Sequence, residues 1–294
     1  MIERRLFACW FFVTSCVFAT FAMNPSPAGA DTSDTKSPWA LFAFDNGVGR
    51  DAGWKPDAQA QLLSELGFDG IGYTNVVDLD QRFASFDKQQ LSVVSFYVPF
   101  HSEKEQSIDP KVIAQLPKMK GKDAILWIHI HGNASDEQTA DRLRVLADQA
   151  AIHDVQISVY PHHGFQVATA EHAVKIVKAV DRENVGVTFN LCHELRAGNG
   201  PRISEIIKKT ADHLTMVSIN GAMRVMTDAK NPWKELILPL GEGDFDILSL
   251  LNELKSVGYD GPIGLQCYNV KQEPAEMLEN SINAWNTYLS KLEN

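Results

Sequence analysis

Eight short apolar runs, each turning polar or aromatic at its end, alternate along this chain with longer stretches of helical spacing. The runs cover 39–45, 70–74, 92–98, 124–131, 156–162, 185–190, 215–220 and 263–268. Near-continuous apolar strands separated by helical crossovers form a parallel sheet. Eight such units predict an α/β fold, a single (β/α)8 barrel. The helices carry their own punctuation. The stretch 56–66 stops at Gly67, and Asp109-Pro110 opens a short helix. The stretch 135–151 has Leu143, Leu146, Ala147 and Ala150 at helical spacing, Thr169 caps a stretch that runs to Val180, 246–257 stops at Gly258, and 274–292 closes the ring. Neither a repeat with a period of tens of residues nor a low-complexity tract interrupts this order.

Before the first strand stand Arg4 and Arg5, an apolar run over 6–23 and Ala28-Gly29-Ala30. These are the charged, apolar and cleavage regions of a secretory signal. A retained anchor is disfavoured because the run is short for a span and Asn24-Pro25-Ser26-Pro27 follows it. A lipoprotein reading at Cys16 is disfavoured because the apolar run continues past that cysteine. The expected organisation is therefore a signal peptide over 1–30, a flexible segment over 31–38 and one barrel over 39–294. The protein is expected in the periplasm or outside the cell, with no stable membrane insertion after cleavage. The barrel portion is close to the ~250 residues such a fold needs. The full chain carries a net charge of −10, and losing the leader makes it no less negative. A negative surface repels phosphate backbones, so nucleic acid is not an expected partner. Of four cysteines only Cys192 and Cys267 lie outside the leader, too few for a disulfide framework and best read as small buried hydrophobes.

Parity along each strand separates helix-facing from lumen-facing side chains. With Leu126, Ile128 and Ile130 facing out, Trp127, His129 and His131 face in. The next strand points Ser158, Tyr160 and His162 inward, the sixth Thr188 and Asn190 with His193 just beyond, the seventh Ser218 and Asn220, and the eighth Gln266 and Tyr268. Polar groups thus converge on the carboxyl rim, where barrels of this kind do their chemistry. His162 and His193 are the candidate general acid–base groups, since an imidazole held near neutrality suits proton transfer. His163 lies in the loop after His162. His129 and His131 share a face and would suit a metal or a hydrogen-bonded pair. Gly241-Glu242-Gly243-Asp244 lacks the third glycine of a dinucleotide fingerprint and the Lys-Ser/Thr of a P-loop, so no nucleotide cofactor is expected. Glu242 remains a candidate contact for a hydroxyl. No G-x-S-x-G elbow and no H-E-x-x-H helix is present, which leaves serine hydrolysis and zincin proteolysis unsupported.

Three segments, 185–193, Pro239-Leu240-Gly241-Glu242-Gly243-Asp244 and 258–266, resemble the xylose-isomerase-like TIM-barrel superfamily of sugar isomerases and epimerases. The resemblance implies a divalent metal (Mn, Zn or Fe) held by a Glu, an Asp, a His and a Glu closing the fifth to eighth strands. The matching places here hold Tyr160, Asn190, Ser218 or Asn220, and Gln266. Gln266 cannot take a proton, and a tyrosine with a pKa near 10 stays protonated at pH 7, so the family's two-glutamate chemistry is not expected. Any metal would be histidine-rich, drawing on His131, His162 and His193.

The resemblance implies an enzyme, exported if the leader is a signal, that moves a proton next to the carbonyl of a sugar or keto-sugar, either isomerase/epimerase-like or a related lyase. His162 or His193 would be the base, with Tyr160, His163, Asn190, Asn220, Gln266, Glu242 and Tyr268 around the substrate. The alternative is a barrel that binds carbohydrate without converting it. Abasic-site cleavage, also found in the superfamily, fits poorly with an acidic exported chain lacking a carboxylate-rich zinc cluster. The absence of a Lys/Arg cluster at the rim favours an unphosphorylated sugar, with Arg196, Arg202 and Arg224 in loops as the nearest exceptions.

Overall fold

A computed structural model of the chain describes residues 37–292. The expected signal sequence, and all but the end of the expected N-terminal segment, lie outside the described residues. Eight parallel strands close in chain order into a barrel. They are β1 (Leu41–Phe44), β2 (Gly70–Tyr73), β3 (Ser92–His101), β4 (Ile125–His131), β5 (Ile157–Val159), β6 (Val185–Asn190), β7 (Leu214–Ile219) and β8 (Ile263–Leu265). β1 pairs with β8 to complete the ring. No helix among the described residues is long and apolar enough to cross a membrane.

β5 and β8 stop short of the expected boundaries. Pro161 has no N–H with which to extend the ladder, yet Tyr160 still donates its N–H to Ile128 O at 2.7 Å and Gln266 its own to Ile219 O at 2.9 Å. Both side chains therefore keep their inward strand parity. β3 runs longer than expected, through Pro99. The last β2 partner along β3 is Phe96, so Pro99 removes no bond on that side.

The main core lies between strands and helices, where Leu126, Ile128, Ile130, Val187 and Phe189 pack outward. A second cluster fills the lumen with Phe42, Phe44, Val94, Ile125, Trp127, Tyr160 and Met216. Large rings on β1 need small neighbours on both sides. A Cβ at Gly264 would meet the Phe42 ring at 2.5 Å, and one at Gly72 would meet the same ring at 2.8 Å.

The helix 56–66 ends as expected, with Gly67 in the left-handed region at φ 83°. Ser135 forms a capping box with Gln138, and Thr169 accepts from His172 N. Helices that the sequence pattern does not predict include Leu79–Lys88, Leu191–Arg196 and Ile203–Thr210. The first buries Leu79, Phe83 and Phe86, the third Ile203, Ile206 and Ile207, both at helical spacing. Cys192 and Cys267 are free and buried.

Candidate active site

The carboxyl ends of the strands surround a cavity of about 650 Å³, within the size range of small-molecule sites. Its floor is a buried polar network. Trp127 Nε1 donates to Thr188 Oγ1, which lies 2.8 Å from Ser158 Oγ, and Thr215 Oγ1 donates to Ser158 at 2.8 Å. Above this floor stands Tyr160, 2% exposed, accepting from Gln266 Nε2 at 3.1 Å. Gln266 Oε1 in turn accepts the Tyr268 N–H at 2.9 Å. Burial pushes the Tyr160 hydroxyl well above its usual pKa, so it remains a neutral hydrogen-bonding group.

His162 and His193 face each other with ring centroids 4.1 Å apart. His162 Nδ1 lies 2.9 Å from the carbonyl oxygen of His163, an atom that can only accept. The proton of the neutral ring is therefore on Nδ1, and Nε2 keeps its lone pair. His193 is the reverse. Its Nδ1 accepts the backbone N–H of His163 at 3.0 Å, which leaves the proton on Nε2. Burial holds His162 down to about 4 and His193 well below the ordinary imidazole value, with neighbouring histidines adding to the effect on His193. Both rings are neutral at pH 7. One carries a free lone pair and the other a free N–H, and both line the cavity.

His129 also lines the cavity, stacked on Tyr97 at 4.1 Å and pushed down to about 3, mainly by burial. His131 does not line it. Its Nε2 lies 2.6 Å from His129 Nδ1, so the two rings share a proton. Phe165 is wedged between His131 and His162, 3.9 Å from each ring. The expected metal set of His131, His162 and His193 is therefore not brought together. Among the described residues no group of three or more His, Cys, Asp or Glu is placed to hold a metal ion. The places where the family carries metal-binding carboxylates hold neutral side chains, several already bonded within the protein. Such a donor set does not fit a hard divalent cation.

Of the other expected substrate contacts, Tyr160, His163, Gln266 and Tyr268 line the cavity. Three expectations are corrected. Asn190 is fully buried beneath the rim, where its Nδ2 reaches Pro161 O at 3.3 Å and its Oδ1 takes the Cys192 thiol. Asn220 donates to Gly221 O at 2.7 Å and Leu236 O at 2.6 Å, locking the loop after β7. Glu242 is exposed and accepts from Gln272 away from the cavity. Of the three loop arginines, Arg202 pairs with Glu171 and Glu205, Arg224 bonds to Asp244, and neither these nor Arg196 lines the cavity.

The cationic side chain that does line it is Arg50, with Asn46 and Thr74 beside it. These residues escaped the sequence reading because strand-end parity does not reach into the loop after β1. The available signal was the close spacing of Gly47, Gly49 and Gly53. Trp233, from the loop after β7, closes the other side, its ring 5.2 Å from His193.

The family model described as xylose isomerase-like TIM barrel matches residues 60–288. A 3-dehydroshikimate dehydratase of Pseudomonas aeruginosa is 27% identical over 151 residues, covering 51% of this chain and 24% of that protein. The chain spans about a third or less of the length of the curated relatives it matches. Among solved structures, a 3-keto-D-glucoside 4-epimerase from E. coli superimposes with a TM-score of 0.65 at 14% identity, over 84% of this chain and 98% of the other. An L-ribulose 3-epimerase superimposes at 0.67 with 11% identity, over 86% and 95%. At such identity these likenesses establish the fold.

Proposed function

The chain belongs to the xylose isomerase-like TIM-barrel family, and from that premise we propose that it is an exported enzyme acting on a sugar or keto-sugar by proton transfer next to a carbonyl. The observation that carries the reading is the pair of opposite tautomers, His162 with a lone pair on Nε2 and His193 with a proton on Nε2, facing each other at 4.1 Å. Proton abstraction next to a carbonyl needs a base at the carbon and a hydrogen-bond donor at the oxygen where negative charge collects. In this reading His162 Nε2 takes the proton. His193 Nε2–H donates to the carbonyl oxygen and stabilises the enolate, a role a neutral imidazole fills without losing its own proton. Protonated His162 then gives its proton to the former carbonyl carbon while the adjacent hydroxyl loses its own to the enolate oxygen, giving an isomer. Protonation of the enolate from solvent on the opposite face, with His162 releasing its proton to solvent, gives an epimer. Loss of a β-hydroxyl gives a dehydration, the reaction named for the Pseudomonas relative. No step is routed through a metal, because the donor set does not fit one.

Support for the carbohydrate class comes from the epimerase likenesses and from a cavity that joins aromatic faces with hydroxyl, amide and imidazole groups. A carboxylate-free lining rich in aromatic rings also favours a second reading, a barrel that binds carbohydrate without turning it over. Export rests on the character of residues 1–30 alone.

The test is turnover of a panel of aldoses, ketoses and 3-keto-glycosides by purified protein, followed by NMR. Conversion by wild type that is lost in both His162→Gln and His193→Gln, with melting unchanged, is the expected result. Full activity in both variants removes these residues from the mechanism. Saturable binding without product in wild type selects the binding reading.

A further inference from the structure

Behind the pole of the cavity opposite the histidines lies a buried carboxylate that nothing in the proposed chemistry uses. Asp45 follows β1 and is 1% exposed. Its Oδ2 accepts from Thr74 N at 3.1 Å and from Thr74 Oγ1 at 3.0 Å. Its Oδ1 has no hydrogen-bond partner among the described residues, and neither has the buried Oδ1 of neighbouring Asn46. Arg50 Nη1 lies 3.8 Å from that free Asp45 oxygen and donates to Thr74 Oγ1 at 3.1 Å, while Nε is held by Asp51 at 2.8 Å. The Nη2 edge of the guanidinium carries no bond to the protein among the described residues. Buried acceptors left open beside an open donor edge are the mark of a missing partner.

The segment that carries these groups is held in place rather than loose. A Cβ at Gly47 would meet Cys267 Cβ at 2.3 Å, and one at Gly49 would meet the Trp54 ring at 2.1 Å. The backbone of Asp45 accepts from both Val48 N and Arg50 N. This turn sits against the end of β8, and Asn46, Arg50, Thr74 and Tyr268 line the same wall of the cavity.

The charges around Arg50 decide what this wall can take. A lone arginine in a carboxylate-free cavity would invite a phosphate or a carboxylate. Here Asp45 and Asp51 already flank the guanidinium, and their negative charge opposes any incoming anion. A hydroxyl both donates and accepts, so one of two adjacent hydroxyls can give its proton to Asn46 Oδ1 while both accept from Arg50. We propose that Asn46 and Arg50, with Asp45 behind them, form a second recognition site for a vicinal diol, which selects a substrate whose end remote from His162 is an uncharged polyol. The inference rests on the carbohydrate reading of the cavity and narrows it to unphosphorylated, non-acidic sugars.

Calorimetric titration of the purified chain tests it, with D-fructose, D-allulose, D-xylulose and methyl glucoside against D-fructose 6-phosphate and D-glucuronate. The expected result is that at least one neutral sugar binds, and that the charged probes bind no tighter. Arg50→Met should weaken the neutral sugar about 10- to 100-fold, the effect of losing hydrogen bonds to a charged group, and Asn46→Ala about 10-fold. Glu242→Gln, at an exposed residue away from the cavity, should stay within about threefold of wild-type affinity. Tighter binding of fructose 6-phosphate or glucuronate overturns the diol assignment and makes Arg50 an anion site. Neutral-sugar affinity unchanged in Asn46→Ala and Arg50→Met also overturns it, while leaving turnover at His162 intact. Failure of wild type to bind any probe overturns both this site and the carbohydrate reading.

Discussion

Acid should weaken this fold well before ordinary carboxylates titrate, because three cavity histidines are held neutral by burial. His129 is pushed down to about 3, His162 to about 4, and His193 well below its usual value. A histidine whose folded pKa is depressed contributes stability that is present above its unfolded pKa, near 6.5, and is lost as pH falls toward the folded value. Between pH 7.5 and 5.0 an unfolded histidine gains about 0.9 of a proton. At about 1.4 kcal/mol per pH unit below the unfolded pKa, that is a loss of about 2 kcal/mol for His129, and His193 acts in the same direction. His162 is only partly buried, and solvent screening reduces its share to about 1–2 kcal/mol. His129 and His162 alone therefore cost about 3–4 kcal/mol, a large part of the 5–15 kcal/mol that holds a typical domain folded. Asp45 and Glu194, whose carboxyls burial pushes up, change stability in the opposite sense. Single His→Gln variants are therefore needed to isolate the histidines. Urea unfolding followed by circular dichroism at pH 7.5 and 5.0 measures the difference directly; His129→Gln should remove about 2 kcal/mol of it, and His193→Gln should change it in the same direction. Stability that is equal at the two pH values, or a pH dependence untouched by the variants, would refute the claim that these rings stand neutral in the cavity.

Other consequences follow from the same geometry. If His162 is the base, its low pKa moves the acid limb of the kcat/KM profile to near pH 4, so activity at pH 5.5 should be within about twofold of that at pH 7.5. A limb near pH 6.5 would assign the base elsewhere. His162→Gln should lower kcat about 10²- to 10⁴-fold, measured on whichever sugar proves to be the substrate. Gly264→Ala pushes a methyl group into the Phe42 and Phe44 rings and should cost about 1–3 kcal/mol by urea unfolding; a neutral result would mean the lumen can yield. Mass spectrometry of protein recovered from an exporting host should find cleavage after Ala30, and an intact N-terminus would count against the signal sequence.

Much of this architecture could be read from local pattern. Strand parity placed Leu126, Ile128 and Ile130 outward and Trp127 and His129 inward, because a strand repeats every two residues whatever surrounds it. Tyr160 and Gln266 kept that parity although Pro161 and the turn after Leu265 ended their ladders. The same rule misled at Asn190 and Asn220. Both amides are spent on backbone carbonyls, Asn190 on Pro161 and Asn220 on its neighbour Gly221 and on Leu236 at the end of a short helix, and strand parity encodes none of these contacts. Arg50 was missed for the matching reason, since its place in the cavity depends on Gly47 docking against Cys267 from the other end of the chain. The opposite tautomers of His162 and His193 were also out of reach. Both depend on the backbone of His163, one on its carbonyl and the other on its N–H, and no spacing rule encodes that.

Deuterium exchange from solvent into substrate carbon tests the central claim most directly. Wild-type protein incubated in heavy water with neutral ketoses and 3-keto-glycosides should incorporate deuterium at the carbon beside the carbonyl of at least one of them, and His162→Gln should not. Exchange at an equal rate in the variant, or none by wild type with any of these sugars, would contradict a proton-transferring role for this cavity.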